Sequence, residues 1–346
     1  MVSLPPVCHC LQIMNVLTFI AFIAQAGSKL SSLRQPSSAV FRIALFALAT
    51  CIGSGASGAS RVVAWGDITY DVTLGPSGAR EAVAQIAAGD EHSVVLGSDG
   101  LVSAWGDDGF GQTTIPDEVL RRGAVQVAAG NVHTLALLPN RTVAAWGESS
   151  GQFGDYHQSE VPADLKGVLA IAAGAAHSLA LTRAGTVNAW GFNGFGQCDA
   201  PPGLHYVVAV AGGMYHSLAL RHDGTVVAWG SNNRGQTFVP AGLNGVVAIA
   251  AGGFHSLALR QGGTVVFWGS YGLIGGNVPP GLSDVVAIAT GDFHSLALKR
   301  NGTVVSWGFN TAGQCTVPAG LRNVVAIAAR GQHSMALIGD GHPRWH

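Results

Sequence analysis

From residue 61 onward the chain repeats itself at a period of roughly 40 residues. Trp-Gly pairs recur every 39 to 44 residues, at Trp65, Trp105, Trp146, Trp190, Trp229, Trp268 and Trp307. A second marker, His followed by Ser or Thr, recurs at His92, His133, His177, His216, His255, His294 and His333. Each of the first six His residues lies 13 residues before the next Trp. A fixed period of this length is typical of propellers, solenoids and other repeat arrays.

The repeat at residues 246–279 shows what each unit contains. Val246 to Ala250, His255 to Leu259 and Thr264 to Trp268 are three β-type runs. Gly262-Gly263 fits a two-residue hairpin turn between the last two runs, and Asp-Gly or Asn-Gly pairs stand there in other units. Ala and Gly dominate the first run, which suits the innermost strand of a propeller blade because bulky side chains would collide near the axis. Each unit is therefore predicted to be a β-meander.

The two ends of the repeat region complement each other. Residues Arg61 to Gly66 form a Trp strand without its His strand, and residues His333 to Leu337 form a His strand without its Trp strand. Pairing the two ends completes a seventh blade and removes the exposed sheet edges of an open array. The sequence thus predicts an all-β fold, a seven-bladed β-propeller spanning residues 61–346 and closed by pairing of the N- and C-terminal strands.

The repeated motif also resembles that of a known family. A-A-G-x-x-H-S-L-A-L, followed by W-G-x-N and G-Q, is similar to the repeat of the regulator of chromosome condensation family over residues 61–340. The compact unit and the segment Gly111 to Pro116 are most similar to short-repeat bacterial members, including the propeller-type β-lactamase inhibitor proteins. The resemblance implies a seven-bladed propeller that binds other proteins.

Residues 1–60 form a leader that lies outside the predicted fold. Its two apolar stretches, Leu11 to Ala26 and Ile43 to Ile52, are shorter than the roughly 20 residues that span a bilayer. The second follows basic residues and precedes a small-residue cleavage site after Ala59, which predicts a secretory signal and a secreted or periplasmic protein. Two alternatives stay open: a retained, membrane-anchoring leader and lipidation at Cys51.

The charge balance argues against a nucleic-acid partner, and the cysteine positions argue against a disulfide. The chain has 18 Lys plus Arg against 19 Asp plus Glu, so it lacks the positive excess of a nucleic-acid binder. Cys198 and Cys315 hold equivalent positions three units apart, on nearly opposite sides of a seven-membered ring. We therefore expect two unpaired thiols, because a disulfide tolerates a Cα separation of only about 7 Å.

Residues present in every unit are interpreted as scaffold. A side chain required once for chemistry has no reason to recur in every blade, whereas one that bridges blades must recur. The His residues are therefore expected to be held by hydrogen bonds to neighbouring backbone, and the Trp residues to form core between blades. No unique polar residue is expected at the central channel, so we predict neither a catalytic site nor a bound cofactor or metal.

Candidate binding residues come from the positions that vary between units. The tight hairpin turns occupy one end of each blade, so the loop before His and the loop after Trp must emerge together at the other end. This rim is predicted to carry exposed aromatic anchors ringed by polar residues, the composition of a protein-binding surface. Its members are Asp90, Glu91, Asp107, Asp108, Phe110, Phe153, Tyr156, Met214, Tyr215, Asn232, Asn233, Arg234, Phe254, Tyr271, Asp292, Phe293, Phe309 and Asn310.

The leading functional hypothesis is a monomeric, non-enzymatic scaffold that binds a protein partner through this rim. One alternative, implied by the family's name-giving member, is a guanine-nucleotide exchange factor for a small GTPase. A second alternative, implied by the bacterial members, is a β-lactamase inhibitor. Contact with a membrane is expected only through the leader, if it is retained.

Overall fold

The computed structural model describes residues 60–67, 69–73, 82–148, 156–270 and 276–339, and these form seven three-stranded antiparallel sheets. The inner strands are β2 Val83–Ala88, β5 Gln126–Ala129, β8 Val168–Ala173, β11 Val207–Gly212, β14 Val246–Ala251, β17 Val285–Thr290 and β20 Val324–Arg330. The middle strands are β3 His92–Gly97, β6 His133–Leu137, β9 His177–Thr182, β12 His216–Arg221, β15 His255–Arg260, β18 His294–Lys299 and β21 His333–Ile338. The outer strands are β1 Arg61–Gly66, β4 Val102–Gly106, β7 Val143–Gly147, β10 Val187–Gly191, β13 Val226–Gly230, β16 Val265–Gly269 and β19 Val304–Gly308.

The sheets are the blades of a closed ring. Each inner strand contacts the inner strand of the next blade, and β20 of blade 7 contacts β2 of blade 1. Blade 7 is assembled from both ends of the repeat region, because β1 pairs with β21 in a register that places Arg61 opposite Ile338 and Gly66 opposite His333. The predicted seven-bladed all-β propeller and its closure by the terminal strands are confirmed.

The strand order gives the ring two distinct ends. Middle and outer strands meet at their His and Gly residues, as in the pairing of His92 with Gly106, and the loops around them form what we call the loop face. The hairpin turns between middle and outer strands form the opposite end, the turn face. The α-helix Asp117–Arg122 connects blades 1 and 2, and a 3-10 turn covers Thr69–Asp71. Within the described residues, no helix is long and apolar enough to cross a membrane.

The hairpin turns of blades 1 to 6 are longer than the predicted two residues, and this includes the turn at Gly262-Gly263. At the turn of blade 4, Gly224 donates its N–H to the carbonyl of Arg221 at 3.0 Å, and only Gly224 is left-handed, with a φ of 78°. The turn is therefore a four-residue turn closed by a left-handed glycine. Asp223 does not form a two-residue turn with Gly224, and its side chain instead accepts hydrogen bonds within the turn. Its Oδ1 accepts hydrogen bonds from the N–H and hydroxyl of Thr225, at 2.9 and 2.6 Å.

The hydrophobic core lies between blades rather than within one of them. In a typical cluster, Leu179 and Leu181 of blade 3 pack with Val207, Ala219 and Trp229 of blade 4. Six of the seven repeated Trp side chains are less than one-tenth exposed; their residues are Trp65, Trp146, Trp190, Trp229, Trp268 and Trp307. The expectation that the Trp residues form core between blades is confirmed.

The seven repeated His residues join each blade to the next. Every His Nε2 lies 2.9 to 3.2 Å from the hydroxyl of the Ser or Thr that follows His in the next blade. His333 of blade 7 bonds Ser93 of blade 1, so the cycle closes. The His residues are scaffold, as predicted. The partner of every Nε2 is a hydroxyl group, and the expected backbone hydrogen bonds are made by His92 with Asn131 and by His333 with Asp90.

The same hydroxyls connect the cycle to the Trp residues. In blade 4, the Ser217 hydroxyl donates to the carbonyl of Gln197 at 2.8 Å, and Trp229 Nε1 donates to the same carbonyl at 2.8 Å. Because the hydroxyl hydrogen is used in this way, the oxygen of Ser217 accepts the Nε2 proton of His177. This assigns neutral imidazoles with the proton on Nε2.

Two glycine positions allow the imidazoles to pack. A Cβ on Gly89 would lie 2.2 Å from Nδ1 of His92, so a side chain would collide with the imidazole at this position, which is Gly in six of the seven units. A Cβ on Gly106 would lie 2.5 Å from the carbonyl oxygen of Glu91, and the φ of Gly106 is 110°, which side chains rarely tolerate. The repeated Gly residues therefore follow from close packing around each His.

We predict that mild acid unfolds the propeller. Burial lowers the pKa of His92, His133, His177, His216 and His294 to about 3 and of His333 to about 4, and it also lowers that of His255. Because unfolding restores an ordinary pKa near about 6.5, the unfolded chain binds more protons, and the free energy of unfolding falls as the pH drops below that value. At a pH of about 5.5, proton binding by the seven His residues in the unfolded chain lowers the free energy of unfolding by on the order of 10 kcal/mol.

Denaturant titrations across this pH range measure the number of protons taken up on unfolding. We expect uptake of about five to seven protons near a pH of about 5. Asp90 and Asp292, whose pKa values are raised in the folded state, reduce the number by at most two. Uptake of fewer than about two protons would contradict neutral, buried imidazoles.

Candidate functional site

The predicted rim residues that the structure describes lie at the loop face. Each follows an outer strand or precedes a middle strand, except Tyr156, which lies in the connection between blades 2 and 3. Phe153 and Tyr271 fall outside the described residues. Glu91, Asp108, Asn232, Asn233, Arg234 and Asn310 are exposed, whereas Met214 and the described aromatic residues of the prediction are half-buried.

Aromatic side chains form a continuous row across this face. Tyr215 of blade 4 lies 6.3 Å from Phe254 of blade 5, which stacks on Phe293 of blade 6 at 5.7 Å between ring centroids. The ring centroids of Phe293 and Phe309 lie 6.3 Å apart. We call the complete row the aromatic arc; its members are Tyr156, Phe192, Phe195, Tyr215, Phe254, Phe293 and Phe309.

Two members of the arc were missed from the sequence. Phe192 contacts Tyr156 at 4.6 Å, and Phe195, which is 45% exposed, contacts Tyr215 at 4.9 Å. The spacing could have identified Phe192, because it stands two residues after its Trp, as the predicted rim residue Phe309 does. Together these residues link blades 3 and 4 to the rest of the arc.

Several polar rim residues hold their own loops. Oδ1 of Asp108, Asn232 and Asn310 accepts a hydrogen bond from the backbone N–H five residues later, at 2.8, 3.1 and 2.7 Å. Asn193 makes the same bond in blade 3, at 2.8 Å. Because the interaction recurs at equivalent positions, these side chains act as loop scaffold. Asn233 and Arg234 stand beside them at an exposed loop tip.

Carboxylates gather on the loop face beside blades 7 and 1. The Glu91 carboxyl has a raised pKa because its surroundings reduce its solvation and because Asp107 and Asp67 repel its charge. Asp107 accepts a hydrogen bond from Gln112 at 2.6 Å. We call Asp67, Glu91 and Asp107 the acidic arc. The loop face thus has an aromatic side and an acidic side.

A buried arginine occupies the central channel. Arg330 of blade 7 is 6% exposed, and its Nε and Nη2 donate to Oδ1 of Asn131 in blade 2 at 3.2 and 3.1 Å. Its Nη1 donates to the carbonyls of Ala173 in blade 3 and Gly212 in blade 4, at 3.4 and 3.3 Å. The side chain therefore braces the ring across its axis, and the expectation that no unique polar residue faces the channel is wrong.

Asp292, which is buried, and Asp90, which is half-buried, lie near this arginine and do not form the exposed polar rim that the sequence predicted. Asp292 is 9% exposed, and burial raises its pKa, while the charge of Arg330 opposes the rise. Burial, followed by repulsion from Asp292, raises the pKa of Asp90 to about 7. Their placement corrects the sequence interpretation: two aspartates assigned to the polar surround of exposed aromatics instead lie near a buried guanidinium and compensate its charge.

Arg330 was missed from the sequence, because its position, which is glycine in the other units, was interpreted as part of the repeated scaffold. It stands three residues before His333, where the other six units have Gly89, Gly130, Gly174, Gly213, Gly252 and Gly291. A departure from six identical residues was the available signal.

The remaining reactive groups of the described residues are inert or dispersed. Cys198 and Cys315 are unpaired, as predicted, and burial raises the pKa of the Cys198 thiol to about 12. Within the described parts of the chain, no three His, Cys, Asp or Glu side chains are placed to hold a metal ion.

The family of the chain is established by comparison. The model of the RCC1-like domain family matches residues 68–336, most of the chain. The protein is therefore a seven-bladed propeller that belongs to the RCC1-like domain family. A comparison with curated proteins gives no match.

Solved structures from three organisms share the fold. Prp20p from Saccharomyces cerevisiae is 21% identical with a TM-score of 0.69, and the match covers 82% of this chain and 93% of Prp20p. Human WBSCR16 is 21% identical with a TM-score of 0.64, over 81% of this chain and 99% of that protein. The ectodomain of the receptor kinase CR4 from Physcomitrella patens is 24% identical with a TM-score of 0.57, over 72% and 68%. At these identities the similarity concerns the fold.

We predict that Arg330→Gly destabilises the ring although it restores the residue of the other units. The substitution leaves the buried Asp292 and the half-buried Asp90 to repel each other without a nearby cation, and the free energy of unfolding should fall by about 3 kcal/mol. Glycine in a strand accounts for only about 1 kcal/mol of this loss. Chemical denaturation provides the measurement.

Adding Asp292→Asn to Arg330→Gly is the matched control. It removes one of the two carboxylates left behind and should recover part of the loss. If Arg330→Gly lowered the free energy of unfolding by less than about 1 kcal/mol, the bracing role would be refuted.

Proposed function

We propose that this protein is a non-enzymatic scaffold that binds a protein partner on its loop face. The observation that supports the proposal most strongly is the aromatic arc, which runs unbroken over blades 3 to 6. Half-buried aromatic rings offer a large contact area and lose little conformational entropy on binding. Polar residues at the loop tips, such as Asn233 and Arg234, supply the solvent-exposed rim that protein interfaces have.

The rigidity of the ring supports the same proposal. The loops of the arc are anchored by the Asn and Gln side chains of their own turns, as in the bond from Phe195 N to Oε1 of Gln197 at 3.0 Å. A surface that is already ordered loses little entropy when it binds. Prp20p has been characterised for its binding to Gsp1p and histones, which gives a precedent for protein binding on this fold.

The placement of the polar groups supports a non-enzymatic role. The His residues are committed to bonds between blades, and the guanidinium of Arg330 is bonded to Asn131 and to two carbonyls. These groups serve the scaffold and are withdrawn from solvent. We do not extend the proposal to guanine-nucleotide exchange or β-lactamase inhibition, because no contact among the described residues favours either over another protein partner.

Export is part of the proposal and is supported by the leader sequence. Cleavage after Ala59 would leave β1, which begins at Arg61, complete. The closing blade and the loop face would then be intact in the exported protein.

We predict that the aromatic arc carries the binding energy. Combined substitution of Tyr215, Phe254 and Phe293 by Ala should weaken binding to the partner by at least about 100-fold, because buried aromatic anchors contribute about 2 kcal/mol or more each. The partner is first captured in the native host by a photo-crosslinking residue at Phe195. Affinity is then measured by titration calorimetry with the purified partner.

The turn face supplies the controls. A photo-crosslinking residue at Tyr206, which is 72% exposed, should not capture the same partner. The triple variant must keep the melting temperature of the parent within a few degrees for its affinity to be interpreted. Unchanged affinity in a folded triple variant would disprove the placement of the site.

Mass spectrometry of the protein isolated from its host tests export. We expect the mature chain to begin at Ser60. A chain that begins at Cys51 with an attached lipid would indicate anchoring, and an intact Met1 in a cytoplasmic fraction would contradict export.

A further inference from the structure

Charge is segregated between the two faces of the propeller. Among the described residues, only Arg234 and the buried Arg330 place a cationic group at the loop face or in the channel. The other Lys and Arg residues lie at or next to the turn face; they are Arg61, Arg121, Arg122, Arg141, Lys166, Arg183, Arg221, Arg260, Lys299, Arg300 and Arg322. Six of the eleven lie at the end of a middle strand or in the following turn; they are Arg141, Arg183, Arg221, Arg260, Lys299 and Arg300.

Carboxylates at the turn face do not balance these cations. The described acidic residues there number six, against eleven Lys and Arg, and are Asp99, Asp117, Glu118, Asp164, Asp223 and Asp284. Two of them, Asp99 and Asp223, accept hydrogen bonds from the backbone of their own turns, at 2.9 Å each. Most of the basic residues are exposed, including Lys166, Arg300 and Arg322.

Exposed apolar side chains are interspersed among the basic ones. Leu101 is 48% exposed, Leu120 52%, Val125 56% and Tyr206 72%, and all four lie at or next to the turn face. Leu101 follows the turn of blade 1, and Ala124 beside Val125 donates its N–H to the carbonyl of Gly100 in that turn, at 2.8 Å. A surface that combines exposed cations with scattered large apolar side chains is typical of proteins that lie on anionic lipid.

Tyr206 is held exposed at a conformational cost. Its φ is 56°, a left-handed value that is uncommon for a bulky residue. The equivalent residues directly before the inner strands of blades 3, 5, 6 and 7 are Gly167, Gly245, Asp284 and Asn323, which tolerate this conformation better. An aromatic residue that is both strained and largely exposed indicates a contact outside the folded chain.

The first described strand of the propeller begins at the same face. β1 begins at Arg61, which pairs with Ile338 at the turn end of blade 7.

We propose that the turn face docks on an anionic lipid surface, with its Lys and Arg side chains at the headgroups and Tyr206 in the interfacial region. This goes beyond membrane contact through the leader alone, and it does not depend on the proposed protein partner. It also leaves the aromatic arc free on the opposite side.

Vesicle sedimentation with the full chain tests the proposal. Phosphatidylcholine vesicles are compared with vesicles that contain about 30% phosphatidylglycerol, since anionic lipid attracts basic side chains additively. Because the leader is common to all variants, differences between variants report on the propeller. The parent should prefer the anionic vesicles, and this preference should weaken as salt is raised.

Combined Lys166→Gln, Arg300→Gln and Arg322→Gln should lower partitioning onto anionic vesicles by at least about tenfold. The matched control makes the same change in net charge at the loop face, through Asn233→Asp, Arg234→Gln and Asn310→Asp. Aspartate suits position 310 because Asp108 occupies the equivalent place in blade 1. The control variant should bind like the parent.

Tyr206→Asn tests the apolar contribution. Asparagine suits this position because Asn323 adopts the same φ in blade 7, so the variant should fold and should bind both vesicle types more weakly. Equal losses in the two triple variants, or full binding by the turn-face triple variant, would overturn the proposal. Tighter, turn-face-dependent binding to a short DNA duplex than to the vesicles would overturn it as well.

Discussion

A cycle of hydrogen bonds between buried, neutral histidines and hydroxyl groups is the interaction on which the rest of this structure depends. Each imidazole donates to a hydroxyl of the next blade. In six blades that hydroxyl donates in turn to a backbone carbonyl, which also accepts the indole N–H of the blade's Trp; the hydroxyls are those of Ser93, Thr134, Ser178, Ser217, Ser256 and Ser334. The bond from His333 to Ser93 joins the last blade to the first in the same way as all others. Closure of the ring is therefore one more copy of the repeated contact, added to the pairing of β1 with β21.

This cycle explains why His and the residues packed around it recur in the repeat. The imidazoles are fully buried, so they must remain uncharged, and the space around them excludes even a Cβ at Gly89. With the interior fixed in this way, variation is confined to the two ends of the blades. The ends have diverged from each other: one collects aromatic rings and carboxylates, and the other collects Lys, Arg and exposed apolar side chains.

Arg330 is the exception that the ring accommodates. It replaces the glycine of the other units, and its blade adapts through the left-handed Gly331, where a Cβ would collide with the carboxylate of Asp90. The arginine also lowers the pKa of His133 and His177 further, after the effect of burial, so it reinforces the neutral state of the imidazoles that surround the channel. A single unrepeated side chain thus acts on several blades at once.

The sequence by itself determined the number of blades, the strand order, the closure and the scaffold role of His and Trp. Each of these properties follows from a sequence pattern that recurs in seven units. The sequence also placed the variable positions at one end, since hairpin connectivity requires this. Only the tertiary structure decided that Phe192 and Phe195 continue the row of Tyr215 and Phe254, and that Asp90 and Asp292 turn inward to Arg330. These contacts join residues that lie up to some 240 positions apart and occur once, so they are set by the geometry of ring closure, on which local sequence carries no information.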